Sequence, residues 1–169
     1  MEIREAALAD AESIREVHIE SILGLGPEGY SEEQVEAWAA GCASADYAAG
    51  IESDGLWFVV AETNGEICGF GTLLFNPPEN YAAAVDGEIT GVYVHPVVTR
   101  EGVGSAILSE LEDRARKRDL WTLGLSASLN AVPFYEIHGY ERIREHSHEF
   151  SAHESTDVTG AVVEMKTRL

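Results

Sequence analysis

The stretch VYVHPVVTREGVGSAIL, residues 92–108, starts as a β-strand and ends as an α-helix. Gly102 and Gly104 stand one residue apart where the two meet. The first N–H groups of a helix have no intrahelical acceptor and carry positive potential, and glycine lets an anion approach the backbone closely. The junction therefore predicts a phosphate-binding loop, although a plain tight turn would use the same glycines.

Two familiar phosphate-binding motifs do not fit this junction. A P-loop requires Gly-Lys-Ser/Thr, but Gly104 is followed by Ser105 and Ala106. A dinucleotide-binding fingerprint requires a third glycine three residues after the second, where this chain has Ile107. The preceding strand also belongs to a run of hairpins rather than opening a βαβ unit. The ligand is therefore expected to be a phosphate compound of another kind.

The order of predicted elements around the junction is β-α-α-β-β-β-α-β-α-β-β. The second helix starts at Ser31, where Gln34 completes the capping-box pattern, and Asp10 is expected to cap the first helix. An Asn64-Gly65 turn joins two strands into a hairpin. These elements predict an α/β (α+β) protein with a mixed, mostly antiparallel sheet and helices packed against it. Residues 1–169 are expected to form a single domain.

The composition is strongly acidic. Thirty acidic residues against eleven basic ones give a formal net charge of −19. Such self-repulsion largely vanishes near 1 M salt, where the Debye length is about 3 Å. We interpret the charge as that of a protein from a halophile, with an acidic mesophilic protein as the alternative. Either origin argues against a nucleic-acid partner, which needs a basic surface.

Three further features of the sequence concern where the protein is located. We expect no membrane partner, because no apolar run reaches the roughly 18 residues that a membrane span needs. The first residues lack the basic-then-apolar order of a signal peptide, and Cys42 and Cys68 have no paired spacing. They are expected to be reduced thiols in a cytoplasmic protein.

The chain resembles the GCN5-related N-acetyltransferase (GNAT) family, and within it a small, uncharacterised member. The family signature is a strand such as VYVHP, then Arg/Gln-x-x-Gly-x-Gly/Ala opening a helix, and later Asn-x-x-x-x-Tyr followed by Gly-Phe/Tyr. This chain has VYVHPVVTREGVGSAIL at residues 92–108 and LSASLNAVPFYEIHGY at residues 125–140. The resemblance implies six or seven strands and N-acetyl transfer from acetyl-CoA to a primary amine, through a tetrahedral intermediate. No metal is implied.

The resemblance also implies which residues bind acetyl-CoA. Backbone N–H groups of the glycine loop would hold the pyrophosphate, and the preceding strand would pair with the pantetheine arm. Asn130 is expected to cap a helix, and in the family this position often also contacts the cofactor. The implied cofactor-binding residues are Val92, Val94, Arg100, Glu101, Gly102, Val103, Gly104, Ser105 and Asn130.

Two residues are candidates for proton transfer. Tyr135 matches the family tyrosine that protonates the leaving coenzyme A thiolate as general acid, with a purely structural core tyrosine as the alternative. Glu88 lies where some members carry the glutamate base that deprotonates the amine, although it could equally be a surface residue at a strand end. Glu62 and Glu79 are weaker candidates for the base.

The chain departs from the family pattern at Thr99, where Arg or Gln is usual three residues before the first glycine. We expect the backbone to provide most of the pyrophosphate binding. The sequence leaves two interpretations of Arg100: its side chain replaces the cation missing at Thr99, or it points to solvent.

The acceptor side is less defined by the sequence. Tyr30 precedes the second helix and Trp38 lies within it. In the family this helix and its preceding loop line the acceptor side, so both residues are candidate substrate contacts; packing alone would also explain them. His146, His148 and His153 are interpreted as solvated strand positions rather than a metal site.

The acceptor predicted from the family is a small amine or an amino-acid derivative, with a protein N-terminus or lysine left open. A homodimer is left open as well. The rival interpretation is a non-catalytic acyl-CoA-binding or regulatory module, which would keep the glycine loop but need neither Tyr135 nor Glu88.

Overall fold

A computed structural model describes residues 1–150 and 158–169. The helices are α1 (Ala11–Leu25), α2 (Glu32–Ala43), α3 (Tyr47–Glu52), α4 (Val103–Lys117) and α5 (Val132–Ile137). The strands are β1 (Glu2–Glu5), β2 (Leu56–Thr63), β3 (Glu66–Leu74), β4 (Gly87–Val94), β5 (Thr122–Ser128), β6 (Glu141–Glu149) and β7 (Thr159–Arg168).

The seven strands form one sheet in the order β1-β2-β3-β4-β5-β7-β6. Neighbouring strands are antiparallel except for β4 and β5, which pair in parallel. This confirms the predicted fold, a mostly antiparallel α/β sheet with flanking helices. None of the helices in the described ranges is both long enough and apolar enough to cross a membrane.

The local signals in the sequence had mixed outcomes. Asn64 and Gly65 both adopt positive φ in the β2–β3 turn, as the hairpin prediction requires. The capping box at α2 is also present, with the Gln34 N–H donating to Ser31 Oγ over 3.3 Å. Asp10 does precede α1, but its carboxylate does not cap the helix. It accepts instead from Arg4 at 2.8 Å and from the Ala7 N–H at 2.7 Å.

Helix α3 was not predicted from the sequence. It has only six residues, and it contains Gly50, a poor helix former. The structure shows why glycine is used there, because a Cβ on Gly50 would lie 2.9 Å from the Phe58 ring. The Asp46 carboxylate starts the helix by accepting from the Ala49 N–H over 3.0 Å.

Helix α4 packs its apolar face against the strands through Ile107, Leu108 and Leu111, each 0% exposed. Small residues on β3 make this close packing possible. A Cβ on Gly71 would lie 2.5 Å from Cγ2 of Ile107, and a Cβ on Gly69 would lie 2.9 Å from its Cδ1. The packing fixes the N-terminus of α4 beside the carboxyl end of β4.

Candidate active site

Strands β4 and β5 separate in the middle of the sheet. They pair only at Gly87 with Leu123 and at Glu88 with Gly124. Beyond Glu88, β4 stays paired with β3 on its other side, while β5 stays paired with β7. The result is a V-shaped gap with Glu88 at its closed end.

A cavity of about 360 Å³ opens at the carboxyl end of β4, beside the glycine loop. We call it the cofactor-side cavity. It brings together most of the residues predicted to bind acetyl-CoA. Those that line it are Val92, Val94, Arg100, Gly102, Val103, Gly104, Ser105 and Asn130.

The start of α4 presents backbone donors to this cavity. Gly102 precedes the helix with φ at +84°, a left-handed conformation that favours glycine. The first hydrogen bond of the helix runs from the Ala106 N–H to the Gly102 carbonyl, at 3.0 Å. The N–H groups of Val103, Gly104 and Ser105 therefore precede the helical hydrogen-bond ladder and suit an anion.

The residues before the glycines take different positions. The Thr99 hydroxyl donates to the Pro96 carbonyl over 2.9 Å, so it stabilises the loop itself. Arg100 lines the cavity in a left-handed conformation with φ at +65°, and it forms no ion pair with any residue the structure describes. Glu101 is exposed and does not line the cavity. The position of Arg100 on the cavity lining is compatible with the first of the two interpretations, in which its side chain provides a cation for the phosphate.

Ser105 is held by a histidine that the sequence analysis did not consider. His138 Nδ1 lies 2.8 Å from the Phe134 carbonyl, which can only accept, so Nδ1 carries the proton. In the neutral ring Nε2 is then the acceptor for the Ser105 hydroxyl, at 3.0 Å. This contact orients the Ser105 side chain at the N-terminus of α4.

Asn130 does not cap a helix as predicted. Helix α5 begins at Val132 after Ala131, and no side chain caps it. Instead, Asn130 Oδ1 is buried and has no hydrogen-bond partner in the part of the chain that the structure describes. A buried acceptor without a donor is costly unless a ligand N–H completes it. Asn130 thus fits an amide-bearing cofactor better than a structural role.

Tyr135 lies on α5 and also lines the cofactor-side cavity. Its side chain is buried, with 5% exposed, and packs edge-on against Tyr140. Burial raises the pKa of Tyr135 above its ordinary value. The phenol therefore stays protonated at neutral pH, which is the state a proton donor requires.

A second cavity, of about 300 Å³, adjoins the first at the gap between β4 and β5. We call it the acceptor-side cavity. Glu88 lines it, and burial raises the pKa of this carboxyl group, while the Tyr81 hydroxyl acts in the opposite direction. Glu88 Oε2 is buried without a hydrogen-bond partner among the described residues. A carboxylate in this state can accept a proton.

The two cavities meet at three shared residues, which are Trp38, Tyr93 and Ser128. Trp38 thus lies where a donor and an acceptor would be closest. Tyr30 does not line either cavity. Its hydroxyl donates to the Ala161 carbonyl over 2.7 Å and accepts from the Leu129 N–H over 3.0 Å, so it joins α2's leading loop to the sheet.

Strands β6 and β7 add residues that the sequence analysis did not identify. Glu164 is 1% exposed, although its neighbours in the sequence are apolar. It accepts from Arg144 over 3.0 Å and from the N–H groups of Ala82 and Ala83 over 2.9 and 3.1 Å. Burial opposes ionisation, but these donors hold the pKa of Glu164 below its ordinary value.

The histidines of β6 were interpreted as solvated strand positions, and in the structure His148 is exposed and His146 is half-buried. His146 and His148 both line the acceptor-side cavity, and His148 packs edge-on against Phe150. His153 lies outside the described residues. No group of three metal-ligating side chains occurs within residues 1–150 and 158–169. His146 and His148 are two residues apart in the sequence, and in a strand this spacing indicates that both side chains face the same side of the sheet.

With this geometry established, comparisons with known proteins identify the family. The family model of the acetyltransferase (GNAT) domain matches residues 28–157. The chain therefore belongs to the GNAT family and is an acetyltransferase.

Individual relatives agree with this assignment. An uncharacterized N-acetyltransferase, YafP from Escherichia coli, is 24% identical over 145 residues, which cover 86% of this chain and 84% of YafP. A GCN5-related N-acetyltransferase from Rhodopseudomonas palustris has a TM-score of 0.83 and 27% identity, covering 99% of this chain and 95% of its own. The PaiA N-acetyltransferase from Thermoplasma acidophilum, solved with coenzyme A, has a TM-score of 0.76 and 22% identity, covering 99% and 98%.

Proposed function

We propose that the protein transfers the acetyl group of acetyl-CoA to the primary amine of a small molecule by direct attack. One observation carries this proposal: two cavities beside the gap between β4 and β5 meet at Trp38, Tyr93 and Ser128. One of them has a helix N-terminus for an anion, and the other has the half-buried carboxylate of Glu88 for an amine. A non-catalytic acyl-CoA-binding module would need only the first.

Acetyl-CoA fits the cofactor-side cavity through groups of different kinds. The N–H groups at the start of α4 suit the pyrophosphate, with Arg100 at the rim as an added cation. The β4 backbone at Val92 and Val94 faces the gap in the sheet and suits the amides of the pantetheine arm. Asn130 Oδ1 is an acceptor for a cofactor N–H. The coenzyme A bound by PaiA supports the same assignment.

Two side chains are proposed to move protons. Glu88, directly or through a water molecule, takes a proton from the acceptor ammonium, which frees the nitrogen lone pair. The nitrogen then forms a bond to the thioester carbon, giving a tetrahedral intermediate. As the carbon–sulfur bond breaks, the Tyr135 hydroxyl donates its proton to the departing thiolate. The attacking nitrogen loses its second proton to solvent as the amide forms, and solvent returns a proton to the Tyr135 oxygen. The proton held by Glu88 returns to solvent.

The acetyl-transfer assignment is tested by an amine-panel assay that follows release of free thiol from acetyl-CoA. We expect release with at least one primary amine and none with the matched tertiary amine, because direct attack requires an N–H to lose. The panel is run at about 0.1 M and about 1 M KCl, since long-range repulsion between the acidic protein and a polyanion is strong only in the first. Failure of acetyl-CoA to bind or raise the melting temperature in either salt would contradict the proposal.

The base role of Glu88 predicts a pH effect. Because Glu88 must be ionised to act, kcat/KM should rise with pH through its raised pKa and then level off. Glu88→Gln is expected to lower kcat/KM about tenfold near neutral pH, since bulk water still removes the amine proton slowly. The measurement is kcat/KM of both enzymes as a function of pH. The variant should lack the rise in kcat/KM that ionisation of Glu88 causes in the wild type.

Stability provides an independent check on the same variant. A raised pKa in the folded state means that protonated Glu88 stabilises the fold at low pH, and this contribution is lost as pH rises through that pKa. The always-neutral Glu88→Gln chain should therefore unfold no more easily than the wild type at neutral pH. Glu16→Gln, a change of the same kind at an exposed position of α1 that lines neither cavity, is the control. A Glu88→Gln enzyme as active as this control at every pH would exclude Glu88 as the base.

We also propose the setting in which the enzyme works. Residues 1–169 are taken as one N-acetyltransferase domain of a cytoplasmic protein, and the net charge of −19 supports a halophile origin. Greater activity and stability at molar salt than at low salt would be the expected behaviour.

A further inference from the structure

We propose, on the basis of the acetyl transfer proposed above, that the acceptor is a small cationic amine with an apolar stem and without a carboxylate or other anionic group. The argument comes from the charges and surfaces of the acceptor-side cavity. It narrows the acceptor from amines in general to those that are not free amino acids.

The cavity has an excess of negative charge. Its described lining contains two carboxylates, Glu88 and Glu164, and one guanidinium, Arg144. These three groups therefore give the lining one net negative charge. His148 fits this count, because burial, with His146 beside it, lowers its pKa.

The one guanidinium of the described lining is already engaged. Arg144 Nε donates to Glu164 over 3.0 Å, and Arg144 Nη2 donates to the Asn80 carbonyl over 2.8 Å. The side chain of Glu164 is buried, and its carboxylate also accepts from two backbone N–H groups of the β3–β4 loop. An acceptor carboxylate near Arg144 would also lie near the buried carboxylate of Glu164, whose negative charge already offsets that of the guanidinium.

A positively charged group on the acceptor would be favourable in the cavity. Glu88 is half-buried, and its buried Oε2 has no hydrogen-bond partner among the described residues, so an ammonium group there would be favourable. Trp38 and Phe150 form an adjoining aromatic wall, with rings stacked 5.7 Å apart at 19°, and Tyr93 lies next to Trp38. Aromatic faces attract cations and pack against apolar stems.

The experiment compares acceptors that differ only in the group beside the amine. Phenethylamine, phenylalaninamide and phenylalanine form one series, and tryptamine, tryptophanamide and tryptophan form a second. The neutral amides match the carboxylates in size, so they separate charge from steric fit. We expect kcat/KM to be at least about tenfold higher for each amide than for its carboxylate, and the carboxylates to be poor competitive inhibitors.

High salt separates the effect of the charges within the cavity from the effect of the net charge of the whole protein. At about 1 M KCl the Debye length is near 3 Å, so the net charge of the whole protein contributes little, whereas charges within the cavity remain effective. The preference for amides should therefore persist in that salt. A second arm uses Ser126→Lys, which adds a cation to the cavity lining and should reduce the preference.

The outcomes distinguish this inference from the proposed reaction. Thiol release with carboxylates at rates equal to or above those of the amides would overturn the acceptor class while leaving acetyl transfer intact. Loss of the preference at about 1 M KCl would also overturn it, because the discrimination would then come from the net charge. Absence of thiol release with every amine would instead count against the proposed reaction.

Discussion

Tyr135→Phe is expected to lower kcat about a hundredfold or more, the low end of what a positioned general acid contributes. The substitution removes one oxygen from a buried ring that lines the cofactor-side cavity, and it leaves the packing against Tyr140 in place. The affinity for acetyl-CoA should change little, because the phosphate-binding N–H groups are on α4. The measurements are kcat from thiol release and the Kd of acetyl-CoA.

Tyr140→Phe is the matched control for this variant. Tyr140 is also buried, at 3% exposed, but it does not line either cavity, and its hydroxyl donates to Glu112 over 3.0 Å. Its loss should lower the free energy of unfolding and leave kcat nearly unchanged. If Tyr135→Phe and Tyr140→Phe had the same kcat as the wild type across the pH range, Tyr135 would be a structural core residue only.

Gly104→Val is expected to weaken acetyl-CoA binding about a hundredfold, which corresponds to roughly 2.7 kcal/mol. A Cβ at this position would lie 3.3 Å from the Phe134 ring and 3.6 Å from Val94 Cγ2, so a branched side chain has to displace its neighbours or enter the cavity. Gly104 also provides one of the free N–H groups at the start of α4. The Kd of acetyl-CoA, measured by calorimetry in molar salt, reports the effect.

The control for the glycine variant lies on the same helix. Ser109→Val places the same β-branched residue at an exposed position of α4, away from the cavity. It carries the helix-propensity cost of valine without the obstruction. Equal cofactor affinity of Gly104→Val and Ser109→Val would show that the phosphate does not approach the backbone at Gly104.

The cofactor side of the molecule could be predicted from the sequence because it depends on local features. Gly102 and Gly104 signal a backbone conformation and an open approach, and these are properties of the residues themselves. Asn130 and Tyr135 follow within one short segment. Even there, the capping role of Asn130 was wrong, since helix α5 starts two residues later.

The acceptor side could not be predicted in the same way because it is assembled from distant segments. Tyr81, Arg144 and Glu164 meet only once β7 has inserted between β5 and β6. Glu164 stands in an apolar strand, and its burial with Arg144 depends on pairing between β6 and β7. No spacing in the sequence encodes that contact.

The gap between β4 and β5 has a consequence for the solubility of the ligand-free protein. Beyond Glu88, β4 has a strand neighbour on one side only, so it is an edge strand in the interior of a seven-stranded sheet. Edge strands invite pairing with other chains and hence aggregation. A bound pantetheine arm would occupy that edge, and the repulsion between copies that each carry a charge of −19 opposes their approach when it is empty. The opening that admits a substrate is thus also an exposed β-edge, with ligand and surface charge as its two protections.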